Sequence, residues 1–383
     1  MRYDFDEMVD RRGSDSIKWT LYPEDVLPLW VADMDFRSPQ PVIEALRERA
    51  EHGVFGYSRP SPELAEVLRA RLRRLYGWEV AEPEVLYLPG TVTGINVAIQ
   101  AFTSPGEGVL AQPPVYFHFL RDPVLHGRVL ADPPLARNGD GYEIDFERFE
   151  NSITPETRLF LLCNPHNPVG RVWTRAELET LAGICLRHRL VLCSDEIHCD
   201  LLYPPHRHIP VASLDAEVAD RTVTLMAPSK TYNTAGLDCA FAVIPNPRLR
   251  RRWREVSAGI VPWVNIMGHT AALAALSDGE EWLGQALSYL RANRDFVSGF
   301  LLREIPSIRM CRVEATYLAW LDCAAAGVTG KLSEFFLDRG RVALGEGTDF
   351  GRGGEGFVRL NFACPRGKLA EALRRMKKAL EIS

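Results

Sequence analysis

The sequence predicts an α/β fold built on a mainly parallel sheet, accompanied by a second, smaller lobe. Three observations carry that expectation. From Val85 onward, short apolar runs alternate with helical stretches, as repeated βα units do. Runs such as Val223–Met226 are apolar on successive residues and rich in β-branched side chains, as strands covered on both faces are. At 383 residues the chain also exceeds one ordinary core.

The first 35 residues are mixed and end in LPLWVADMDF, where Asp33 and Asp35 flank Met34 and read as a capping turn. A helix over Ser38–Glu51 follows, its start marked by Ser38-Pro39. The loop GVFGYSRPS places Tyr57 between glycine-flanked turns, partly exposed or closing a core, and a second helix spans Pro62–Tyr76. Val85–Leu88, Val109–Ala111, Leu159–Cys163, Leu190–Cys193 and Val223–Met226 read as strands. They lead into PGTVTG, PPVYFHF, NPHNPVG, SDEIH and APSKTYNTAG. A helix over Ile95–Phe102 follows the first of these loops, and another opens at Thr174 with Glu177 three residues on, a capping box. Cys239–Ile244 reads as the next strand.

After Pro262 the pattern becomes helix-rich to Glu304, with Glu280–Phe300 its longest part. Ile308–Leu321 then reads as strand, 331–339 as helix, Gly345–Gly356 as flexible loop, and the end as an amphipathic helix. The implied division is a large domain over 36–275 and a small one formed by 1–35 and 276–383. There is no internal repeat and no low-complexity segment.

Composition excludes several classes. A net charge of −5 gives no broad attraction to nucleic acid or anionic membrane. Nothing approaches the roughly 20 apolar residues of a bilayer span, and the N-terminus lacks the apolar core of a secretory signal. The eight cysteines form no CxxC pair and read as buried free thiols in a reducing cytoplasm. His198, Cys199, His206 and His208 lack a zinc spacing, so no metal is expected.

Ligands of such sheets collect beyond the strands' carboxyl ends, which brings Gly90–Gly94, Tyr116, Asn167, Asp195 and Lys230 to one edge. Only six of the 45 basic residues are lysine, and Lys368, Lys377 and Lys378 suit the solvated face of the last helix. Lys230 alone stands at the end of a buried strand, where desolvation suits it to be a Schiff-base amine; an interstrand-loop lysine is the alternative. PGTVTGI offers N–H groups and two hydroxyls at a helix start, a phosphate cradle or simply a capped helix. It is neither a Walker loop nor a GxGxxG turn. Asp195 requires a cation, whether a pyridinium nitrogen or a buried arginine, unless it caps a helix. Asn167 is a polar contact or an Asx turn. Arg359, alternating with apolar residues in FVRLNFACP, is a carboxylate receptor or an edge-strand surface arginine.

The order of these features resembles the fold-type I pyridoxal-phosphate enzymes along nearly the whole chain. LPLWVADMDF, GVFGYS, PPVYFHF, NPHNPVG, SDEIHCDL, APSKTYNTAGL and VRLNFACPR are similar to the MalY/PatB branch of cystathionine β-lyase-type C–S lyases. The resemblance implies a seven-stranded, mainly parallel sheet between helices, plus a smaller α+β domain. It implies pyridoxal 5′-phosphate on Lys230, which also shuttles the Cα proton. Asp195 would hold the pyridine nitrogen protonated, Asn167 would bond the ring 3′-oxygen, Tyr116 would stack and assist proton transfer, and His198 would stand beside that oxygen. Val92, Thr93 and Ser229 would hold the phosphate, joined by Tyr57 of the neighbouring subunit in a homodimer with shared sites. Arg359 would clamp the substrate carboxylate, helped by backbone near Ala32.

Two departures stand out: hydroxyls at Thr91 and Thr93 in the phosphate loop, and Asp238 eight residues after the lysine, expected to turn away or to pair with an arginine. The implied reaction is α,β-elimination from an L-cysteine S-conjugate. The alternatives are transamination, a specialised natural-product enzyme cleaving or oxidatively or decarboxylatively deaminating a bulky S-cysteinyl conjugate, and a silent binding module of the same fold.

Overall fold

In the computed structural model, which describes residues 1–381, seven strands of the described residues form one sheet. They are β1 (Val85–Leu88), β2 (Gly108–Leu110), β3 (Val129–Ala131), β4 (Thr157–Cys163), β5 (Val191–Asp195), β6 (Thr222–Met226) and β7 (Ala240–Val243). Their order is β1-β7-β6-β5-β4-β2-β3. β7 runs antiparallel to both neighbours and every other pair is parallel. The carboxyl ends of β4, β5 and β6 therefore share one edge with the amino end of β7. β6 is buried at every residue, as its continuous apolar run requires.

Helix starts follow local chemistry. α1 spans Gln40–His52 and α2 spans Pro62–Tyr76, where the Ser61 hydroxyl accepts the Leu64 N–H at 3.1 Å. α3 spans Thr91–Phe102, beginning a turn before the predicted Ile95, because the threonines of PGTVTG already belong to its first turn. Gly94 lets α3 lie close on the sheet, since a Cβ there would meet Leu225 at 2.7 Å. α4 (Arg175–Arg187) has the predicted capping box, with Glu177 N–H donating to Thr174 Oγ1 at 3.3 Å.

The later part holds α5 (Glu280–Glu304), α6 (Arg366–Glu381) and an antiparallel sheet of β8 (Arg309–Met310), β9 (Leu318–Asp322), β10 (Gly345–Glu346) and β11 (Phe357–Asn361) in the order β8-β9-β11-β10. The N-terminal segment packs here: Phe5, Leu29 and Met34 share a core with Leu290, Leu318 and Leu369. Two expectations need correction. The predicted strand over Ile308–Leu321 is broken, because Glu314 N–H and Thr316 N–H leave the sheet to donate to Gly170 O and Leu201 O. The predicted flexible loop at Gly345–Gly356 is a packed turn; Gly347 touches the Gly354 carbonyl so closely that no Cβ fits.

The aspartates of VADMDF do not cap a helix, and Lys368 is not solvated. Asp35 is 4% exposed and accepts from Arg11 (2.7 Å), Lys18 (3.0 Å), Trp19 (3.1 Å) and Lys368 (2.6 Å). Lys230 is thus not the one lysine out of solvent: it is half-buried, while Lys18 and Lys368 are fully buried, each with this carboxylate as partner.

Burial pushes the Asp35 carboxyl up, but Lys18 and Lys368 outweigh burial and hold it well below the usual range. Its stabilisation is therefore complete above its unfolded pKa of about 3.9 and fades as pH falls towards the folded value. Asp35→Ala leaves the buried Lys368 ammonium without its anion and Lys18 with Asp33 alone, and is expected to lower unfolding free energy by about 3–5 kcal/mol. Urea denaturation at pH 7 should show the gap, and the two proteins should converge in acid.

Candidate active site

The sheet edge opens into a cavity of about 660 Å³. Ala32, Val92, Thr93, Tyr116, Asn167, Asp195, His198, Ser229, Lys230 and Arg359 all line it. Tyr57 does not: it is 98% exposed, its ring 5.8 Å from that of Trp263 on another surface.

Lys230 follows β6 in a single helical turn begun by Pro228. Its Nζ donates to the Ala32 carbonyl at 2.6 Å, and burial pushes its amine down to about 8. Asp195 ends β5 with no cation on its carboxylate. Its oxygens accept only from Ile197 N–H at 3.2 Å and Thr91 Oγ1 at 3.4 Å, and burial raises it to about 7. The Thr91 hydroxyl is thus engaged by the Asp195 carboxylate. The N–H groups of Thr91, Val92 and Thr93 precede the first helical bond of α3, from Gly94 N–H to Gly90 O, and remain for an anion.

Arg359 lies on β11 between β9 and β10, buried and not on an edge. Its Nη1 donates to Asn167 Oδ1 at 3.2 Å and its Nη2 to Trp30 O at 2.9 Å, while the buried Nε has no partner. Burial lowers the guanidinium to about 10, and Phe350 lies 4.8 Å beneath it. His198 is 3% exposed with Nδ1 unpartnered, and burial pushes its imidazole down to about 3, so the ring is neutral. Tyr116 N–H donates to Asn167 O at 3.1 Å, and burial raises its hydroxyl.

Asp238, exposed and in a left-handed conformation just before antiparallel β7, stands at the rim of the cavity and pairs with no arginine among the described residues. His208 pairs with Glu196 at 2.6 Å, apart from His198, and among the described residues no cluster suits a metal ion. Three polar residues escaped sequence reasoning: Asn233, Tyr317 and Asn361 hydrogen-bond the backbone of residues 31–36. For Asn361 the signal was present, two residues beyond Arg359 on one strand face.

The chain matches the aminotransferase class I and II family model over residues 24–376. It is 42% identical over 387 residues to cystathionine beta-lyase PatB of Bacillus subtilis (strain 168), covering 98% of this chain and 99% of that one. The crystal structure of OvoB superposes with a TM-score of 0.95 at 43% identity, covering 100% of both chains. That of cystalysin from Treponema denticola, which contains a pyridoxal 5′-phosphate cofactor, does so with a TM-score of 0.96 at 33% identity, again over 100% of both.

A lysine whose amine is neutral above pH 8 is chemically selective. In cofactor-free protein, reductive methylation followed by mass spectrometry should modify Lys230 with a midpoint near 8. Lys331, on the surface and held above the ordinary lysine value by its hydrogen bond to Glu334, should respond only at higher pH.

Proposed function

This chain belongs to the aminotransferase class I and II family, and we propose that within it the protein is a pyridoxal 5′-phosphate-dependent carbon–sulfur β-lyase. It cleaves an L-cysteine S-conjugate of the cystathionine type to a thiol, pyruvate and ammonia. One observation carries the reading: a single cavity holds a lysine whose amine pKa is lowered to about 8, a buried carboxylate without a cation and a buried guanidinium without an anion. The full-length similarity to a cystathionine beta-lyase supports it.

The residues present fit the cofactor. Asp195 lacks the cation that a protonated pyridine nitrogen provides, and the open N–H groups at the start of α3 suit a phosphate, with Ser229 beside them. Asn167 and the orphaned His198 Nδ1 are polar groups for a ring oxygen, and Tyr116 offers an aromatic face. When bound, pyridoxal phosphate supplies an electron sink for a carbanion at the substrate Cα, from which a β-thiolate departs. Arg359 receives the α-carboxylate through donors it does not spend on the protein. Lys230, with an amine pKa of about 8, takes the Cα proton. Asp195 holds a proton on the ring nitrogen, and Tyr116 assists proton transfer.

The active form is a homodimer in which Tyr57 reaches the neighbouring subunit's site. Val54, Phe55, Tyr57, Ile260 and Trp263, all exposed, give an apolar surface that supports this. Eight buried free thiols support a cytoplasmic location, and no described helix is long and apolar enough to cross a membrane. The division into 36–275 against 1–35 with 276–383 is retained as part of this reading.

The test is a product assay on purified protein with L-cystathionine and S-alkyl cysteines. Equal amounts of pyruvate, ammonia and thiol are expected; a keto acid retaining the sulfur chain would make the enzyme an aminotransferase. Lys230→Ala should abolish turnover. Arg359→Lys, which keeps the charge but loses the planar fork, should raise KM roughly 10–100-fold.

A further inference from the structure

The wall between Lys230 and Arg359 is residues 30–36, a stretch with neither helix nor strand. Side chains hold its carbonyls. Arg359 Nη2 donates to Trp30 O at 2.9 Å, and Asn361 Nδ2 donates to both Val31 O and Asp33 O at 2.6 Å. Between those two, Ala32 O accepts from Lys230 Nζ at 2.6 Å and from the Tyr317 hydroxyl at 3.0 Å. Asn361 is 1% exposed, and its Oδ1 accepts from Ala363 N–H at 2.7 Å, so both ends of its amide are engaged.

We infer that Asn361 is a positioning residue for proton transfer at the substrate Cα. By gripping the carbonyls on either side of Ala32, it aims the Ala32 carbonyl at the Lys230 amine. It thereby fixes where that amine stands relative to a carboxylate docked on Arg359. Arg359 and Asn361 project from the same face of β11, so one strand both receives the carboxylate and sets the distance to the base. Tyr317 acts on the same carbonyl from the other side and shares the task. Without the clamp, Ala32 O is free to turn, and the amine loses the acceptor that favours its protonated form.

The consequence for turnover rests on the proposed lyase reading; the clamp does not. The test uses Asn361→Ala and, because a buried asparagine can be needed for folding, Tyr317→Phe, which keeps the ring. In cofactor-free protein, reductive methylation of Lys230 should show its pKa lowered, by on the order of one unit for Asn361→Ala and less for Tyr317→Phe. In the holoenzyme, exchange of the substrate Cα hydrogen with deuterated solvent, followed by NMR, should slow roughly 10–100-fold. KM and the pyridoxal phosphate affinity from absorbance titration should stay within about twofold. Native lysine reactivity and native exchange in both variants would overturn the inference. So would a parallel fall of cofactor affinity, melting temperature and exchange, which marks a purely structural role. If the unmodified enzyme exchanges no Cα hydrogen on any cysteine conjugate, the lyase reading fails, while the lysine measurement still decides the role of Asn361.

Discussion

Desolvation without compensation is the constraint on which the site depends. Protein interiors ordinarily pair each buried charge, as Asp35 is paired here with three cations. Within the cavity that rule is suspended three times. Asp195 meets only an amide and a weak hydroxyl, Arg359 only neutral oxygens, and Lys230 only a carbonyl. Each group is thereby held in readiness for a charge that arrives with a ligand: a cation for Asp195, an anion for Arg359, and an electrophilic carbon for the amine.

Such groups collapse onto one another unless the backbone keeps them apart. Asp195 and Lys230 are separated by their positions at the ends of neighbouring parallel strands, fixed by the β5–β6 ladder. Arg359 belongs to the other sheet, and the irregular stretch 30–36 links it to Lys230 through the Trp30 and Ala32 carbonyls. That stretch has no ladder of its own, so it borrows rigidity from side chains: Asn361, Asn233 and the Asp35 ion cluster. Irregular backbone walled by side-chain hydrogen bonds is costly to build, and it occurs here beside the reacting groups.

How much of this was legible depended on range. Strands β1 and β6, helix α2 and the capping box of α4 are encoded locally, by apolar runs, Ser61 and the Thr174–Glu177 pair, and the structure follows them closely. Lys230, Asp195 and Arg359 were legible because a charge within an apolar run is anomalous wherever the run lies. Lys368 looked ordinary on an amphipathic helix because its partner, Asp35, is 333 residues away. The break at Thr316 was hidden for the same reason, since Leu201 claims its N–H. The Thr91 hydroxyl stood out only as a departure in the loop, because its partner, Asp195, is 104 residues away.

The Asp35 cluster also bears on how the molecule is made. Its members come from residues 11 to 35 and from residue 368, the two extremes of the chain. Asn361 and Arg359, which grip residues 30–33, are likewise late in translation. Asn233 can grip residues 34–36 early, yet the wall beside Lys230 lacks Tyr317, Arg359, Asn361 and Lys368 until the end of synthesis. The wall beside the reactive lysine is therefore a contact of high sequence separation, closed by residues some 330 positions from those it holds.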